Sequence, residues 1–537
     1  MLLLALVPAL VAGAQIASLL FFLNPAIPLA PLPALRSTFY LTALFAPFSL
    51  AVHLLVARWR RVELERLAPW SLMVVVAFAA LGLAMHASVD AYLLPEAMNG
   101  QLIKSALWLA LGAVLLFYTV LLHTLHHKRY GLRSRLLVVL VAIGAIAVPF
   151  ARRASFLATP VTPPVIAPAS DPAPQALVVI ALPTATLDAI LPLARQGKLP
   201  FFAQMLDEGA AARLVALAPP LTSTLWASWA TGKLPYRHGI TGSARYTSPL
   251  FGSGTRLAVL PILPAFSSWG LAGGARLRVS PADRTALTVW EILVRLGRRA
   301  IAPGFPPWLG GDGLPERGAR PDVSLAAREL RSAGFERFAR ELESDRSRLA
   351  VARSRWLAGT AHPDALFVEL PGLERPALAS YGAFTAANFE GARGAATTNA
   401  ARAYETLLGG LDAELSLFAA DLPPGTLLAI SSPYGVTAPR SLRRLARLVR
   451  SSDLELGGTL GSGADGLLLL RGPGVRAGVR IAEAKLEDVV PTLLYATGLP
   501  IARDFDGRVL AEIFEPAVLQ ERALSFVPTF EGARPPR

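Results

Sequence analysis

Five long apolar runs crowd into the first 150 residues, and they constrain the fold more than any other feature of the chain. They lie at Leu2–Leu23, Phe39–Ala57, Trp70–Val89, Ser105–Leu125 and Leu136–Phe150. Each approaches the ~20 residues that cross a bilayer as a helix, and the fifth is the shortest. A single run of this kind also suits a buried helix of a soluble protein. Five in series, with few charges inside, do not. Ala12-Gly13-Ala14 looks like a signal-peptide cleavage site. However, no basic residue precedes the first run, which stays apolar to Leu23, so an uncleaved helix is expected. Whole-chain composition agrees: 17% of residues are charged, against about 25% in a soluble domain.

The loops between the runs give an orientation. Arg58, Arg60, Arg61 and Arg66 follow the second run, and Lys128, Arg129, Arg133 and Arg135 follow the fourth. The loops after the first and third runs carry only Arg36 and Lys104. The positive-inside rule puts the basic loops in the cytoplasm, the amino terminus with them, and everything after the fifth run outside. Arg152 and Arg153 run against this rule. The expected location is a bacterial inner membrane with the carboxy-terminal domain extracytoplasmic. The clustered charges of these loops need no nucleic acid to explain them, so the bilayer is the expected partner and nucleic acid is not. His123, His126 and His127 end the fourth run. A metal site on one helix face is conceivable, but His suits a helix C-terminus and that reading is preferred. Cysteine is absent, which excludes disulfides, Cys-ligated zinc and thiol catalysis.

Thr159 to Pro174 reads TPVTPPVIAPASDPAP, an extended Pro-rich linker. The expected division is a membrane region over 1–152, a linker over 153–174 and an outer domain over 175–537. Beyond the linker, short apolar runs at Ala176–Leu182, Leu214–Leu217, Ala365–Leu370, Thr426–Ser431 and Gly466–Leu470 read as buried strands. Helical patterns separate them. In the clearest, Ala400–Leu417, the residues Tyr404, Leu407, Leu408, Leu411 and Leu415 form one apolar stripe. The expected fold is α/β, a mostly parallel sheet sandwiched by helices and preceded by an all-α transmembrane bundle. Chemistry in such sheets sits at the carboxyl ends of the strands.

Two stretches at those ends carry a resemblance. One joins ALVVIALPTATLDAILPLARQGKLPFFAQMLDEGA to PPLTSTLWASWATGKLPYRHGI, and the other is DGLLLLRGPGVRAGVRIAEAKLEDVVPTLLYATGLPIARDFDGRVLAEIF. TVWEILVRLGRRAIAPGFPP and GTLLAISSPYG add to it. Together they resemble the type I phosphodiesterase/nucleotide pyrophosphatase family of the alkaline phosphatase superfamily, over most of residues 175–515. The string Leu225-Trp226 to Ala230-Thr231-Gly232-Lys233, combined with Asp488, Pro491-Thr492 and Asp506-Gly507, is its most specific part. The resemblance implies an alkaline phosphatase-like sheet. In active members it also implies two zinc-like ions on Asp and His ligands, with a Ser or Thr nucleophile between them. Two such cations activate the nucleophile and stabilise both oxygens of an in-line displacement.

Against that pattern the ligand positions have changed. The first strand of the family ends Gly-Leu-Asp-Gly; here Ala181-Leu182-Pro183-Thr184 stands there, so Pro183 takes the metal position. The nucleophile position falls on Thr222. The central strand leads to Pro371 and Arg375 in place of an Asp and a His. The next ends Ser432-Pro433-Tyr434-Gly435 in place of Ser-Asp-His-Gly, and the late His corresponds to Ser462. Only His238 and His362 remain beyond the linker, and neither falls on a ligand position. Proline has no side chain that can ligate a metal.

The residues kept have bland readings beside the functional ones. Thr222 is a nucleophile position with nothing evident to activate it, and an N-cap is the preferred reading; Ser223 and Thr224 are similar cap candidates. Arg375 would bind an anion with its planar fork or pair with a neighbouring carboxylate. Tyr434 would line the same pocket or fill the space the metals left. Asp188, Asp207 and Glu208 lie on helical patterns as surface positions.

The expected function is therefore a membrane-anchored, non-hydrolytic pseudoenzyme that binds an anionic ligand or an envelope protein, with no cofactor. One alternative is an active metal-dependent phosphodiesterase or phosphotransferase. It would use Thr222 and a zinc or manganese pair on a nucleotide or lipid head group. Five membrane helices ahead of such a domain also resemble the layout of lipoteichoic acid synthases and phosphoethanolamine transferases. Another alternative is a structural docking module.

Overall fold

A computed structural model describes residues 2–60, 64–148, 150, 153–156, 175–218, 220–252, 254–263, 266, 270–271, 273–313, 324–357, 362–384, 395–437 and 465–531. The linker Thr159–Pro174, Arg61, Arg152 and Ser462 lie outside the described residues. The chain forms two compact units, one of residues 1–160 with 241–279, the other of residues 161–240 with 280–537.

The first unit is built on five helices: α1 (Leu2–Leu23), α2 (Pro31–Arg60), α3 (Leu64–Val89), α4 (Glu96–Leu125) and α5 (Leu132–Ala147). The first four are long and apolar enough to cross a membrane. With 16 residues, α5 is about 24 Å long, short of the ~30 Å hydrocarbon core. The apolar runs thus became helices, but α2 and α4 begin well before their runs, at Pro31 and Glu96. The histidines ending α4 are held by the helix itself. The Nδ1 of His123 bonds the Thr119 carbonyl at 2.8 Å and that of His126 the Leu122 carbonyl at 2.9 Å. His123 also stacks on Tyr130.

Residues 241–279, expected within the outer domain, cluster with the helices. Their apolar side chains are the reason: Phe251, Leu257, Leu260, Phe266 and Leu271 share one core with Leu20, Phe21 and Leu41. Strands β3 (Ala244–Tyr246) and β4 (Arg276–Arg278), named in chain order, pair antiparallel within this segment. Polar clamps fix it. The Asn24 Oδ1 accepts from the amides of Ala258 (2.7 Å) and Val259 (3.2 Å), and its Nδ2 donates to the Val259 carbonyl (2.8 Å). The Nε2 of His86 accepts from the Ile262 amide at 2.8 Å, which leaves Nδ1–H to donate to Asp90 at 2.8 Å.

Arg153, which ran against the charge rule, is not a free loop charge. It is 9% exposed and donates to the carbonyls of Phe21 (2.9 Å), Pro25 (3.0 Å) and Ile27. It thus satisfies orphan carbonyls at and just beyond the end of α1, where a cation also meets the negative end of the helix dipole. The ends of α1 and α3 and the residues after α5 therefore all carry the contacts of one end of this unit.

The second unit holds a seven-stranded sheet in the order β5-β6-β1-β7-β8-β2-β9. Its strands are β1 (Leu177–Ala181), β2 (Ala210–Val215), β5 (Ala300–Ile301), β6 (Ala365–Glu369), β7 (Leu427–Ser432), β8 (Gly466–Arg471) and β9 (Val479–Lys485). β5, β6, β1 and β7 run parallel, while β8 is antiparallel to both neighbours. β1 is buried throughout, as a strand covered by helices on both faces must be. β2 starts at Ala210, earlier than the apolar run, because its alanines fit between β8 and β9 without a bulky signature. The half-exposed edge strand β9 carries too few apolar residues to announce itself.

Candidate functional site

Three parallel strands define the site by their register. Ala181 of β1 lies between Glu369 of β6 and Ser431 of β7. Two residues further on, each chain reaches a proline: Pro183, Pro371 and Pro433. The three ligand positions inferred from the sequence thus stand at equivalent steps beyond adjacent strand ends, and none has a donor atom on its side chain. The turn after β1 keeps a conformation suited to glycine. Thr184, where the resembling family has Gly, sits at φ 68 and donates its amide to the Tyr434 carbonyl at 3.1 Å. A β-branched residue in that region is strained.

After α6 (Leu187–Arg195) and α7 (Pro200–Glu208), the helix α8 (Thr222–Thr231) enters beside these ends. The cap reading of Thr222 is corrected: the N-cap is Leu221, in extended conformation, with no side-chain cap bond. Thr222 is already the first helical residue. Among the described residues no side chain caps the first amides of α8, and the half-buried hydroxyls of Thr222 and Ser223 lie beside them. The Thr224 Oγ1 and the Tyr434 hydroxyl are buried and lack hydrogen-bond partners among the described residues. Tyr434 is 1% exposed, packs edge-on to Trp226, and burial raises its pKa.

Arg375 is placed otherwise than an anion binder requires. Its side chain is 87% exposed and pairs with Glu341 at 3.2 Å, the second of its two expected readings, with Glu341 as the carboxylate. His238 is buried and structural, accepting at Nδ1 from the Ile240 amide (3.1 Å), with Nε2 3.0 Å from the Ser228 hydroxyl. His362 is exposed and stacks on Trp356. Asp188 pairs with Arg213 at 2.6 Å and Glu208 with Arg471 at 3.1 Å, while Asp207 is exposed.

Sequence reasoning missed the carboxylates near Pro371. Asp345, on the helix Glu336–Leu357, is 2% exposed and accepts the Gly372 amide at 3.1 and 3.0 Å. Gly372 has to be glycine, since a Cβ there would come within 2.2 Å of the Asp345 carboxylate. Burial pushes Asp345 up to about 8 against the opposing pull of the Gly372 amide and Arg348. Burial likewise pushes Glu369, the last residue of β6, up to about 7, and raises Glu374. The clue in the sequence was position. Leu342, Asp345, Leu349, Ala352 and Trp356 share the buried stripe of one helix. Among the described residues, no group of three His, Asp or Glu side chains could hold a metal ion.

Aromatic packing fastens α8 to the sheet. Trp229 is 1% exposed, donates its indole N–H to the Ser431 hydroxyl at 2.9 Å, and stacks on Phe305 at 5.9 Å. Trp229→Ala is expected to cost about 3–5 kcal/mol, read from chemical unfolding of the full chain in detergent.

The family model described as type I phosphodiesterase / nucleotide pyrophosphatase matches residues 177–493, more than half of the chain. No curated protein matches it. Murine ectonucleotide pyrophosphatase / phosphodiesterase 5 aligns at 12% identity with a TM-score of 0.40, over 64% of this chain and 100% of its own. An inactive form of the same mouse protein in complex with AMP gives the same values. The human protein aligns at 11% identity with a TM-score of 0.37, over 65% of this chain and 99% of its own.

Proposed function

The chain belongs to the type I phosphodiesterase / nucleotide pyrophosphatase family, and on that premise we propose that it is a non-hydrolytic member. Its second unit binds a phosphate-bearing or other anionic ligand without cleaving it, held to a membrane by the apolar helices. The observation that carries this reading is the aligned row of Pro183, Pro371 and Pro433 beyond three adjacent strand ends. The family's zinc or manganese pair needs carboxylate and imidazole donors there. Proline supplies none, Tyr434 is packed against Trp226, and Arg375 stands in solvent. The residues present do not fit the metals, so no step is derived through them.

What remains is the open start of α8. Uncapped amides at a helix N-terminus attract anions, and the hydroxyls of Thr222 and Ser223 add donors beside them. Binding there needs neither an activated nucleophile nor a leaving-group acid. The extracytoplasmic reading for this unit is supported by the basic loops after α2 and α4, and by the contacts that gather the ends of α1 and α3 and Arg153 on one end of the bundle.

The test uses the full chain in detergent. Metal content by mass spectrometry is expected to be well below one ion per chain. Turnover of bis(p-nitrophenyl) phosphate with added zinc or manganese is expected to match the detergent blank, in wild type and Thr222→Ala alike. Inorganic phosphate is expected to bind about three- to tenfold more weakly to Thr222→Ala, the loss of one hydrogen bond. Two bound metals, with turnover abolished in Thr222→Ala, would mean an active enzyme and overturn the proposal.

A further inference from the structure

On the reading of α1–α4 as membrane spans, we infer that the β3–β4 ribbon rests on the head groups of anionic phospholipids, with Arg276 and Arg278 holding their phosphates. Residues 241–279 carry four arginines, Arg245, Arg256, Arg276 and Arg278, and no Asp, Glu or Lys. Arg245 is turned inward: it is 4% exposed and donates to the Thr241 hydroxyl at 2.9 Å. The others gather on the ribbon. Arg276 and Arg278 alternate with Leu277 along β4, so they share a face, about 7 Å apart. The Arg256 guanidinium reaches the same strand, donating to the Arg278 carbonyl at 3.4 Å.

Depth places this face at head-group level. The apolar spans of α1 and α3 end at Leu23 and Val89. Both ends hold the segment, Asn24 through Val259 and His86 through Ile262. α2 marks the same level. Its 30 residues run about 45 Å, so from Arg58 the ~30 Å hydrocarbon core is crossed by about Thr38. Ala34, Tyr40 and Leu41 lie on either side of that point, and all three pack on the core of Phe251, Leu257 and Leu260. Tyr246 packs on the same core, and it stands opposite Arg276 in the ribbon register. The arginines therefore flank the apolar core where the hydrocarbon ends and the phosphates begin.

Chemistry selects the occupant. Arg276 and Arg278 are both exposed, and neither forms an ion pair among the described residues. Arg276 makes only a 3.4 Å bond to the Ser243 hydroxyl. Guanidinium groups this close repel one another, and a phosphate between them offsets that repulsion while filling the planar fork. With no carboxylate in the segment, the ribbon has nothing to meet the ammonium of a zwitterionic head group. Asp90, at the end of α3, is held by His86. The preference is therefore for a lipid of net negative charge.

The chain has no cysteine, so a single label can report on the ribbon. Leu277→Cys carrying a bimane is prepared in the full chain and reconstituted in phosphatidylethanolamine–phosphatidylglycerol vesicles. Either lipid, at the same fraction, bears a spin label near the top of one acyl chain. Labelled phosphatidylglycerol is expected to quench with about fivefold higher apparent affinity than labelled phosphatidylethanolamine. Arg276→Gln together with Arg278→Gln should bring the two lipids level. Ile103→Cys, 50% exposed on α4, should be quenched by either lipid, and a silent label there would remove the membrane reading itself. Quenching at position 103 but not at 277, equal quenching by the two lipids with both arginines present, or a preference that survives both Gln substitutions would each overturn the inference. Displacement of the lipid by inorganic phosphate, beyond that by chloride at equal ionic strength, would mark a free-anion site and overturn it too.

Discussion

The chain is expected to unfold at a higher temperature at pH 5 than at pH 8, by about 5–10 °C, with Asp345 the main cause. Asp345 releases its proton near 3.8 when unfolded but only near 8 in the enclosed position against Gly372. Between those values the native state holds the extra proton, so stability falls as pH rises through that window and levels off above it. The cost of ionising it is on the order of 5 kcal/mol. Glu369 and Glu487, both pushed by burial up to about 7, act in the same direction. At the acid side the sign reverses. Arg213 holds Asp188 below the usual carboxylate range, and that contribution is present above pH ~4 and lost below it. The optimum therefore lies near pH 5. Thermal melts of wild type and Asp345→Asn across pH 4.5–8.5 test this. The variant, with no proton to lose, should show a much flatter slope, and an unchanged slope would remove Asp345 as its cause.

Lys233→Met should lower stability by about 3–5 kcal/mol, the usual cost of removing one partner from a buried ion cluster. The Lys233 ammonium is 4% exposed and lies 2.6 Å from carboxylate oxygens of both Asp504 and Glu531. Phe505 lies 5.9 Å from it and shields it further. Methionine keeps the length but leaves two carboxylates facing each other without a cation. Adding Asp504→Asn and Glu531→Gln should recover much of the loss, because the penalty comes from the stranded charges and not from the lost pair. Unfolding midpoints in urea for the single and triple variants separate the two. A single variant as stable as wild type would mean that Lys233 only decorates the surface.

These effects explain why some of the sequence was legible and some was not. The string from Leu225 to Lys233 and the distant Asp506-Gly507 were read together as a family signature, and the fold gives the reason. Gly232 ends α8 at φ 67, its carbonyl accepts the Asp506 amide at 3.1 Å, and Asp506 returns a bond to the Leu234 amide at 2.8 Å. The most specific motif is thus a latch between two ends of the chain, which neither end would reveal alone. Pro183 and Pro433 stood out in the sequence because proline excludes ligation in any context, and strand register places Pro371 at the equivalent step beyond β6. Thr222 was misjudged because capping depends on the backbone angles of Leu221. For Arg375 the sequence left anion binding and an ion pair open, because nothing local showed that Glu341, a helix away, would claim it. Asp345 looked like one more charge in a polar helix. Only its place in the stripe marked it as buried.

The segment 241–279 has a consequence for how the chain is made. The α1–α5 helices are synthesised first, yet Asn24, His86 and Leu20 find their partners only in residues that leave the ribosome much later. Until then the bundle has an unpaired asparagine, a half-paired histidine and bare aromatic surface at one end. Formation of the helices and maturation of their core are therefore separate events, and the second waits on synthesis of residues 241–279. A protein cut after α5, or a soluble piece begun at the linker, would each carry one face of an interrupted core. Both would be expected to recruit a chaperone or be degraded.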